Sequence, residues 1–120
     1  MIYTGYFATL RKLPEDIVPV SICIYPPKGY KGFKYPSLAP TAKILNEWKQ
    51  TKDECRYIAD FQKEVLDKLN PANVVSDLER ICGAKDICLV CYEKSEDFCH
   101  RHLVAKWLVE NGIPCEEYAK

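Results

Sequence analysis

A stretch near the C-terminal end, CYEKSEDFCHRHL at positions 91–103, gathers side chains that can do chemistry. It holds two cysteines, two histidines and an arginine together with carboxylates. Cysteine is a nucleophile, histidine and glutamate act as acids or bases, and all three are ligands that zinc accepts. The stretch therefore allows three interpretations: an active site, a metal site, or a structural turn between two elements.

The flanking sequence places this stretch where a strand turns into a helix. Residues 86–92 (DICLVCY) form a short, continuous apolar segment, which predicts a buried strand. A helix is predicted from about Asp97 to Asn111, ending at Gly112. Four residues on the two sides of the turn are our candidate catalytic residues: Cys91, Glu93, Cys99 and His100.

The spacing of these residues argues against a metal site. Cys88 and Cys91 form a C-x-x-C pattern, but side chains three positions apart on a strand point to opposite faces of the sheet. Adjacent Cys99 and His100 point about 100° apart on a helix, which makes joint ligation of a metal awkward. We therefore expect no metal and no cofactor.

Arg101 and the start of the predicted helix favour an anion instead. Unpaired N–H groups and the helix dipole attract negative charge to a helix N-terminus. The simplest ligand is a small, phosphate-bearing molecule held by Arg101, and the candidate catalytic residues either line its binding site or act on it. In the alternative, a structural or partner-binding domain, Arg101 pairs with Glu93 and only closes the turn.

A loop rich in lysine and aromatic residues follows the predicted second strand. No acidic residue occurs from Pro26 to Thr41. Lysines can neutralise phosphates while aromatic rings stack on bases, so a nucleic-acid-binding module is a further hypothesis. It ranks lower because Lys plus Arg equals Asp plus Glu, at 17 each, and no global field attracts a polyanion. The loop adds these candidate ligand-binding residues: Lys28, Tyr30, Lys31, Lys34 and Tyr35.

The order of the predicted elements indicates an α/β fold. Apolar and β-branched segments predict strands at residues 2–7, 18–25 and 86–92, with a final edge strand at 114–118. Helices between them imply a small, mostly parallel, Rossmann-like sheet with helices on both faces, in one three-layer domain spanning the 120 residues. Ligands of such sheets bind outside the carboxyl ends of the strands.

Helix signals lie between the second and third predicted strands. Thr41 is placed to cap a short helix that reaches Trp48. Residues 51–54, Thr-x-x-Glu, have the spacing of a capping box for the next helix. Asn70-Pro71 then predicts the start of a helix that ends at Gly83.

Composition bears on the compartment. The seven cysteines are an odd number, and most lie in apolar or helical contexts, so we expect reduced thiols rather than a disulfide framework. The N-terminus lacks the basic and apolar regions of a signal peptide, and no apolar run is long enough to cross a membrane. We expect a cytoplasmic protein without a membrane partner.

Several motifs resemble one known family. Cys-x-Glu at 91–93 followed by Cys-His-Arg at 99–101 resembles the Domain of Unknown Function 488 family. Residues 3–6, YTGY, resemble its opening strand motif, and we count Tyr6 among the candidate ligand-binding residues. Leu-Ala-Pro at 38–40 and Trp-Lys at 48–49 resemble a shorter branch.

The resemblance implies a compact α/β fold and places functional weight on five residues: Cys91, Glu93, Cys99, His100 and Arg101. It also exposes one departure from the family. Many members carry an Asp-x-Arg element at the end of the second strand, where residues 21–26 of this chain read SICIYP. A role played by that Asp and Arg in other members is therefore not expected here.

Overall fold

The computed structural model describes residues 1–83, 85–92 and 99–118. Its five strands are β1 (Ile2–Tyr6), β2 (Ile17–Ser21), β3 (Phe33–Lys34), β4 (Asp86–Cys91) and β5 (Cys115–Glu117). They form one parallel sheet in the order β3-β2-β4-β1-β5. Within the described residues, no helix has the length and apolar character needed to cross a bilayer.

The sheet lies between two layers of helix, which confirms the predicted three-layer α/β fold. The α-helices are α1 (Ala42–Thr51), α2 (Glu54–Glu64), α3 (Pro71–Cys82) and α4 (His100–Glu110). Their buried side chains form the main core with strand residues such as Val20 and Leu89. The opposite face is covered by the 3-10 helix Phe7–Lys12 and by the rings of Tyr30 and Tyr118.

The path of the chain explains why the α-helices share one face. From β1 to β2 and on to β3 the chain moves toward one edge of the sheet, and from β3 to β4 and on to β5 it moves toward the other. Right-handed connections that move in opposite directions lie on opposite faces. The two connections that carry α-helices therefore pack on the same side.

Capping residues set several helix ends. Thr41 caps α1 by accepting a hydrogen bond from the N–H of Ile44. Asn70 caps α3 through two backbone N–H groups. Gly83 ends α3 with a positive φ of 69°, a conformation that glycine adopts without a Cβ clash. These three predicted signals are confirmed.

The predicted capping box at residues 51–54 was wrong. α1 continues past Trp48 and includes Thr51. Since Thr51 still belongs to α1, it cannot serve as the N-cap of α2. Asp53 does so instead, and its carboxylate accepts from the N–H of Arg56.

The second strand ends earlier than predicted. β2 stops at Ser21 rather than continuing to Tyr25, although the N–H of Ile22 still donates to the carbonyl of Val90. Residues 33–34, predicted as loop, return to pair with β2 as the edge strand β3. The backbone after Ile22 thus leaves the sheet and is available to form the wall of a site.

Candidate functional site

A cavity of about 260 Å³ opens at the carboxyl edge of the sheet, beside the ends of β2 and β4. Its lining is mostly apolar and aromatic, which is typical of small-molecule sites. The lining residues are Cys23, Ile24, Tyr25, Pro40, Leu45, Trp48, Lys49, Tyr57, Cys91, Tyr92, Cys99 and His100. We call Cys91, Cys99 and His100, all buried, the cysteine–histidine cluster.

Two members of the cluster are joined covalently. Cys91 ends β4, Cys99 precedes α4, and a disulfide links them. The expectation that the cysteines are reduced was wrong for this pair, because the end of β4 and the start of α4 bring together sulfurs that are eight positions apart in sequence. The other five cysteines lie outside any disulfide.

Cys88 lies on the opposite face of the sheet, as strand alternation predicted. It is buried with Ile17 and Val90, away from the cavity. Burial raises the pKa of its thiol to about 12, so the group is neutral and unreactive near neutral pH. The C-x-x-C pattern of Cys88 and Cys91 therefore has no joint chemistry.

Cys99 and His100 are closer partners than the sequence predicted. α4 begins at His100, and the predicted start, Asp97, lies outside the described residues. Cys99 is the N-cap residue, with extended backbone angles of φ −154° and ψ 144°. The 100° divergence expected for helical neighbours does not apply, and the Sγ of Cys99 lies 3.8 Å from the Nδ1 of His100.

The ring of His100 is held in one orientation. Its Nε2 lies 2.6 Å from the carbonyl oxygen of Ile22, and its ring packs edge-on against Phe61. A carbonyl oxygen only accepts, so Nε2 carries the proton and Nδ1 presents its lone pair to Cys99. Burial lowers the pKa of His100 to about 4, which keeps the imidazole neutral near pH 7.

Arg101 is buried among protein groups, and its predicted contact with an anion stays a prediction. Its side chain is 0% exposed, and its Nη1 donates to the Sγ of Cys91 at 3.1 Å. Its Nε and Nη2 donate to the two carboxylate oxygens of Glu117, which also accepts from the hydroxyl of Thr4. The predicted partner, Glu93, lies outside the described residues. These contacts suit a residue that positions the sulfur of Cys91.

Tyr6 supports this arrangement from the neighbouring strand. It pairs with Cys91 in the register of β1 and β4. Its ring lies 5.7 Å from the guanidinium carbon of Arg101, within the range of a cation–π contact. Tyr6 does not belong to the residues that line the cavity, so its predicted ligand contact stays a prediction.

The five candidates in the lysine–aromatic loop are described, and they also lie outside the cavity lining. Three of them, Lys28, Lys31 and Lys34, are exposed. The hydroxyl of Tyr30 donates to the carbonyl of Phe33 at 2.7 Å, and that of Tyr35 donates to Asp77 at 2.8 Å. The tyrosines are thus packed on the protein, whereas the lysines face solvent.

Several cavity residues were not selected from the sequence. Trp48 was named as the end of a predicted helix and, with Lys49, as part of a family resemblance, and Cys23 and Tyr57 were not among the candidate site residues. Trp48 and Tyr57 meet edge-to-face, with ring centroids 5.8 Å apart, and form one wall. An aromatic residue on the apolar face of a helix produces the same sequence pattern whether it contacts a core or a cavity, so no sequence signal distinguished these cavity residues from core residues.

The fold and the site define the class of this protein. It is a parallel α/β protein with cysteine and histidine side chains in a cavity at the carboxyl edge of its sheet. A family model described as the active DUF488-N3 subclade, DUF488-N3a, matches residues 3–112. The chain therefore belongs to the DUF488 family, which confirms the resemblance. Comparisons with curated proteins and with solved structures found no match.

Proposed function

We propose that this protein binds and acts on a small molecule with an anionic group, such as a phosphate, in the cavity at the carboxyl edge of the sheet. One observation carries the proposal: three buried groups able to do chemistry line a cavity large enough for a compact ligand. Its volume of about 260 Å³ lies just below the usual range for ligand sites, about 300–1,000 Å³, which limits the ligand to a compact one. The cavity also lies where parallel sheets bind their ligands.

The anionic part of the ligand is assigned to the rim of the cavity. Among the described residues that line the cavity, Lys49 carries a positive charge and is itself exposed. The N-terminus of α4 opens onto the same cavity through Cys99 and His100. Arg101 is buried against Glu117 and Cys91 and does not line the cavity, so it supports the site through the sulfur of Cys91.

The chemical part of the proposal rests on the cysteine–histidine cluster in its reduced form. Reduction frees two thiols in the wall of the cavity, and the hydrogen bond from Arg101 stabilises negative charge on Cys91. His100 is neutral and directs an unprotonated nitrogen at Cys99. Glu93, predicted as an acid or base, keeps that role as part of the proposal.

The experiment is a ligand screen on reduced protein. Sugar phosphates, nucleotides and their neutral analogues are tested by thermal shift, and each hit is titrated at equilibrium. We expect an anionic ligand to bind and its neutral analogue to bind more weakly. Leu45→Trp, which fills the cavity, should abolish binding of both.

Lys49→Gln and Lys43→Gln form a matched pair, since both lysines lie on α1 and only Lys49 lines the cavity. Loss of one charged contact of about 1.4 kcal/mol should weaken the anion about tenfold in Lys49→Gln and hardly change it in Lys43→Gln. If no compound binds, or if both variants weaken binding equally, the proposed site is wrong.

The nucleic-acid hypothesis is tested by a binding assay on the same reduced protein. The loop has three exposed lysines, and its Phe33 is 47% exposed and could stack on a base. Tyr30 and Tyr35, however, donate their hydroxyl hydrogens to groups within the protein. Salt-dependent binding of single-stranded oligonucleotides that a Lys31→Gln, Lys34→Gln double variant weakens would favour that hypothesis. If nothing binds in either assay, a structural or partner-binding domain becomes the better account.

A further inference from the structure

The cysteine–histidine cluster also has the composition of a metal site. The Sγ atoms of Cys91 and Cys99 and a ring nitrogen of His100 all lie within 4.8 Å of one another, and all three residues are buried. Two sulfurs and one imidazole nitrogen are a ligand set that suits zinc and does not suit the oxygen-seeking ions Mg²⁺ and Ca²⁺. We propose that, after the disulfide is reduced, these three residues bind one Zn²⁺ ion whose fourth position opens into the cavity.

The distances are compatible with this ion. Zinc holds sulfur at about 2.3 Å and nitrogen at about 2.0–2.1 Å, so the ligand atoms of one tetrahedral ion lie roughly 3.3–3.8 Å apart. The Sγ of Cys99 and the Nδ1 of His100 are already 3.8 Å apart. The Cα atoms of Cys91 and Cys99 are 7.7 Å apart, above the usual range of about 4.4–6.8 Å for disulfides. The backbone therefore leaves room for an ion between the two sulfurs.

His100 is oriented as zinc-binding histidines are. A ligating imidazole usually donates its other N–H to a carboxylate or a backbone carbonyl, which fixes the tautomer and the ring. Here Nε2 donates to the carbonyl of Ile22 at 2.6 Å, and Nδ1 is left to face Cys99. This carbonyl lies just after β2, so the sheet itself holds the ligand in place.

The surrounding charges favour the same occupant. Two thiolates and one Zn²⁺ sum to zero, so the buried site carries no net charge when the ion is bound. Arg101 donates to the Sγ of Cys91, and its own charge is balanced by Glu117. Hydrogen bonds to a ligating sulfur are a recognised way to stabilise and tune a metal site.

Three protein ligands leave one zinc position for water or for a ligand, which is the pattern of catalytic zinc sites. That position faces the cavity, because all three ligating residues line it. The inference deepens the proposed function, since an anionic group would bind at the open position. Zinc binding is nevertheless measured without any ligand, so the two proposals can fail separately.

The zinc site and the disulfide exclude each other. Reduction with a phosphine transfers two electrons to the disulfide, the phosphine takes up a water oxygen to become its oxide, and both sulfurs end as thiols. Zn²⁺ then displaces the two thiol protons, so binding releases protons. The oxidised protein should bind no zinc at this site.

The test begins with reduced wild-type protein under anaerobic conditions. After equilibration with Zn²⁺ and removal of unbound metal, elemental analysis should find one zinc per chain in reduced protein and less than a tenth of that in oxidised protein. Co²⁺ in place of zinc should show a sulfur-to-metal charge-transfer band and the visible bands of tetrahedral cobalt. Equal metal contents in the two redox states, or octahedral cobalt bands, would overturn the proposal.

A protection experiment identifies the ligands without any variant. Zinc should slow alkylation of Cys91 and Cys99 at least tenfold and leave the exposed Cys55 unchanged, as mapped by mass spectrometry. Cys99→Ser and His100→Asn should each lower zinc affinity at least tenfold, whereas Cys55→Ser should not. Unprotected Cys91 and Cys99 would rule the site out even if a ligand variant failed to fold.

The ligand screen separates this proposal from the proposed function. If a ligand binds equally well with and without a chelator, the cavity is still its binding site, but zinc takes no part in binding it. Zinc bound at one per chain with no ligand found would support the metal site and leave the cavity without its proposed ligand.

Discussion

Arg101 and Glu117 form a bidentate ion pair that ties α4 to the edge strand β5. Nε of Arg101 donates to Oε1 of Glu117 at 3.1 Å, and Nη2 donates to Oε2 at 2.9 Å. The guanidinium is fully buried, while the carboxylate side chain is 25% exposed. The pair holds the third nitrogen, Nη1, against the sulfur of Cys91.

We expect Glu117→Ala to lower the free energy of unfolding by about 2–3 kcal/mol. The substitution removes the carboxylate from a buried cation, a change that costs about 3–5 kcal/mol when both partners are buried. The partial exposure of Glu117 places the cost at or below the lower end of that range. Urea unfolding measures it, with the exposed neighbour Glu116→Ala as the control, expected within about 0.5 kcal/mol of wild type. Equal losses in both variants would show that the ion pair does not stabilise the fold.

Peptide mapping of mildly oxidised protein should find Cys91 crosslinked to Cys99 and not to Cys88. Strand alternation puts Cys88 on the other face of the sheet, beyond the reach of Cys91. In a buffer with a chelator, reduction should lower the free energy of unfolding by roughly 2–3 kcal/mol, the loop-closure entropy of such a short loop. A crosslink between Cys88 and Cys91 would contradict the assigned faces.

Tyr35 should make stability fall in alkaline solution. Burial, together with the hydrogen bond to Asp77, raises its pKa to about 12 from an unfolded value of about 10. Between these values the unfolded chain loses the proton first, so the contribution of Tyr35 is complete below pH 10 and is lost as the pH rises toward 12. Urea unfolding at several pH values should show a shallower decline in Tyr35→Phe.

Tyr25→Phe is the control for this decline, because Tyr25 is 69% exposed. Near neutral pH, Tyr35→Phe should also cost about 1 kcal/mol through the lost hydrogen bond to Asp77. If the alkaline decline is the same in wild type, Tyr25→Phe and Tyr35→Phe, then Tyr35 titrates normally.

Replacing Gly5 by a residue with a side chain should destabilise the protein. A Cβ at this position would lie 3.2 Å from the Sγ of Cys88 and 3.4 Å from the Oγ1 of Thr9. Overpacking of a filled core costs about 1–3 kcal/mol, so we expect Gly5→Ala to lower the free energy of unfolding by that amount. In Cys88→Ala the sulfur is absent, and adding Gly5→Ala should then cost less. Additive losses in this double-mutant cycle would locate the strain elsewhere.

Much of the fold was predictable because it depends on short-range rules. The apolar segment at 86–92 is β4 plus one residue, and Asn70 and Gly83 bound α3 as their capping preferences require. The capping box at residues 51–54 failed although its spacing was right. Whether Thr51 ends one helix or starts the next depends on how far α1 extends, and packing of the helix on the core decides that.

The location of the candidate site was predicted from the sequence, but the contacts between its residues were not. The junction of a strand and a helix was identified, and Cys91, Cys99 and His100 do meet there. The metal interpretation was set aside because Cys99 was assigned to the helix. α4 begins at His100 rather than near Asp97, so Cys99 is an extended N-cap residue and its sulfur lies next to the imidazole.

By itself, the sequence determined the α/β class, the faces of Cys88 and Cys91, and the edge of the sheet at which the chemistry lies, because alternation, capping and apolar runs are properties of neighbouring residues. Only the tertiary structure decided that Cys91 pairs with Cys99, that Glu117 binds Arg101, and that α1 closes the cavity. These contacts join segments that meet only through the order of the strands and the path of the connections. No local pattern encodes that order.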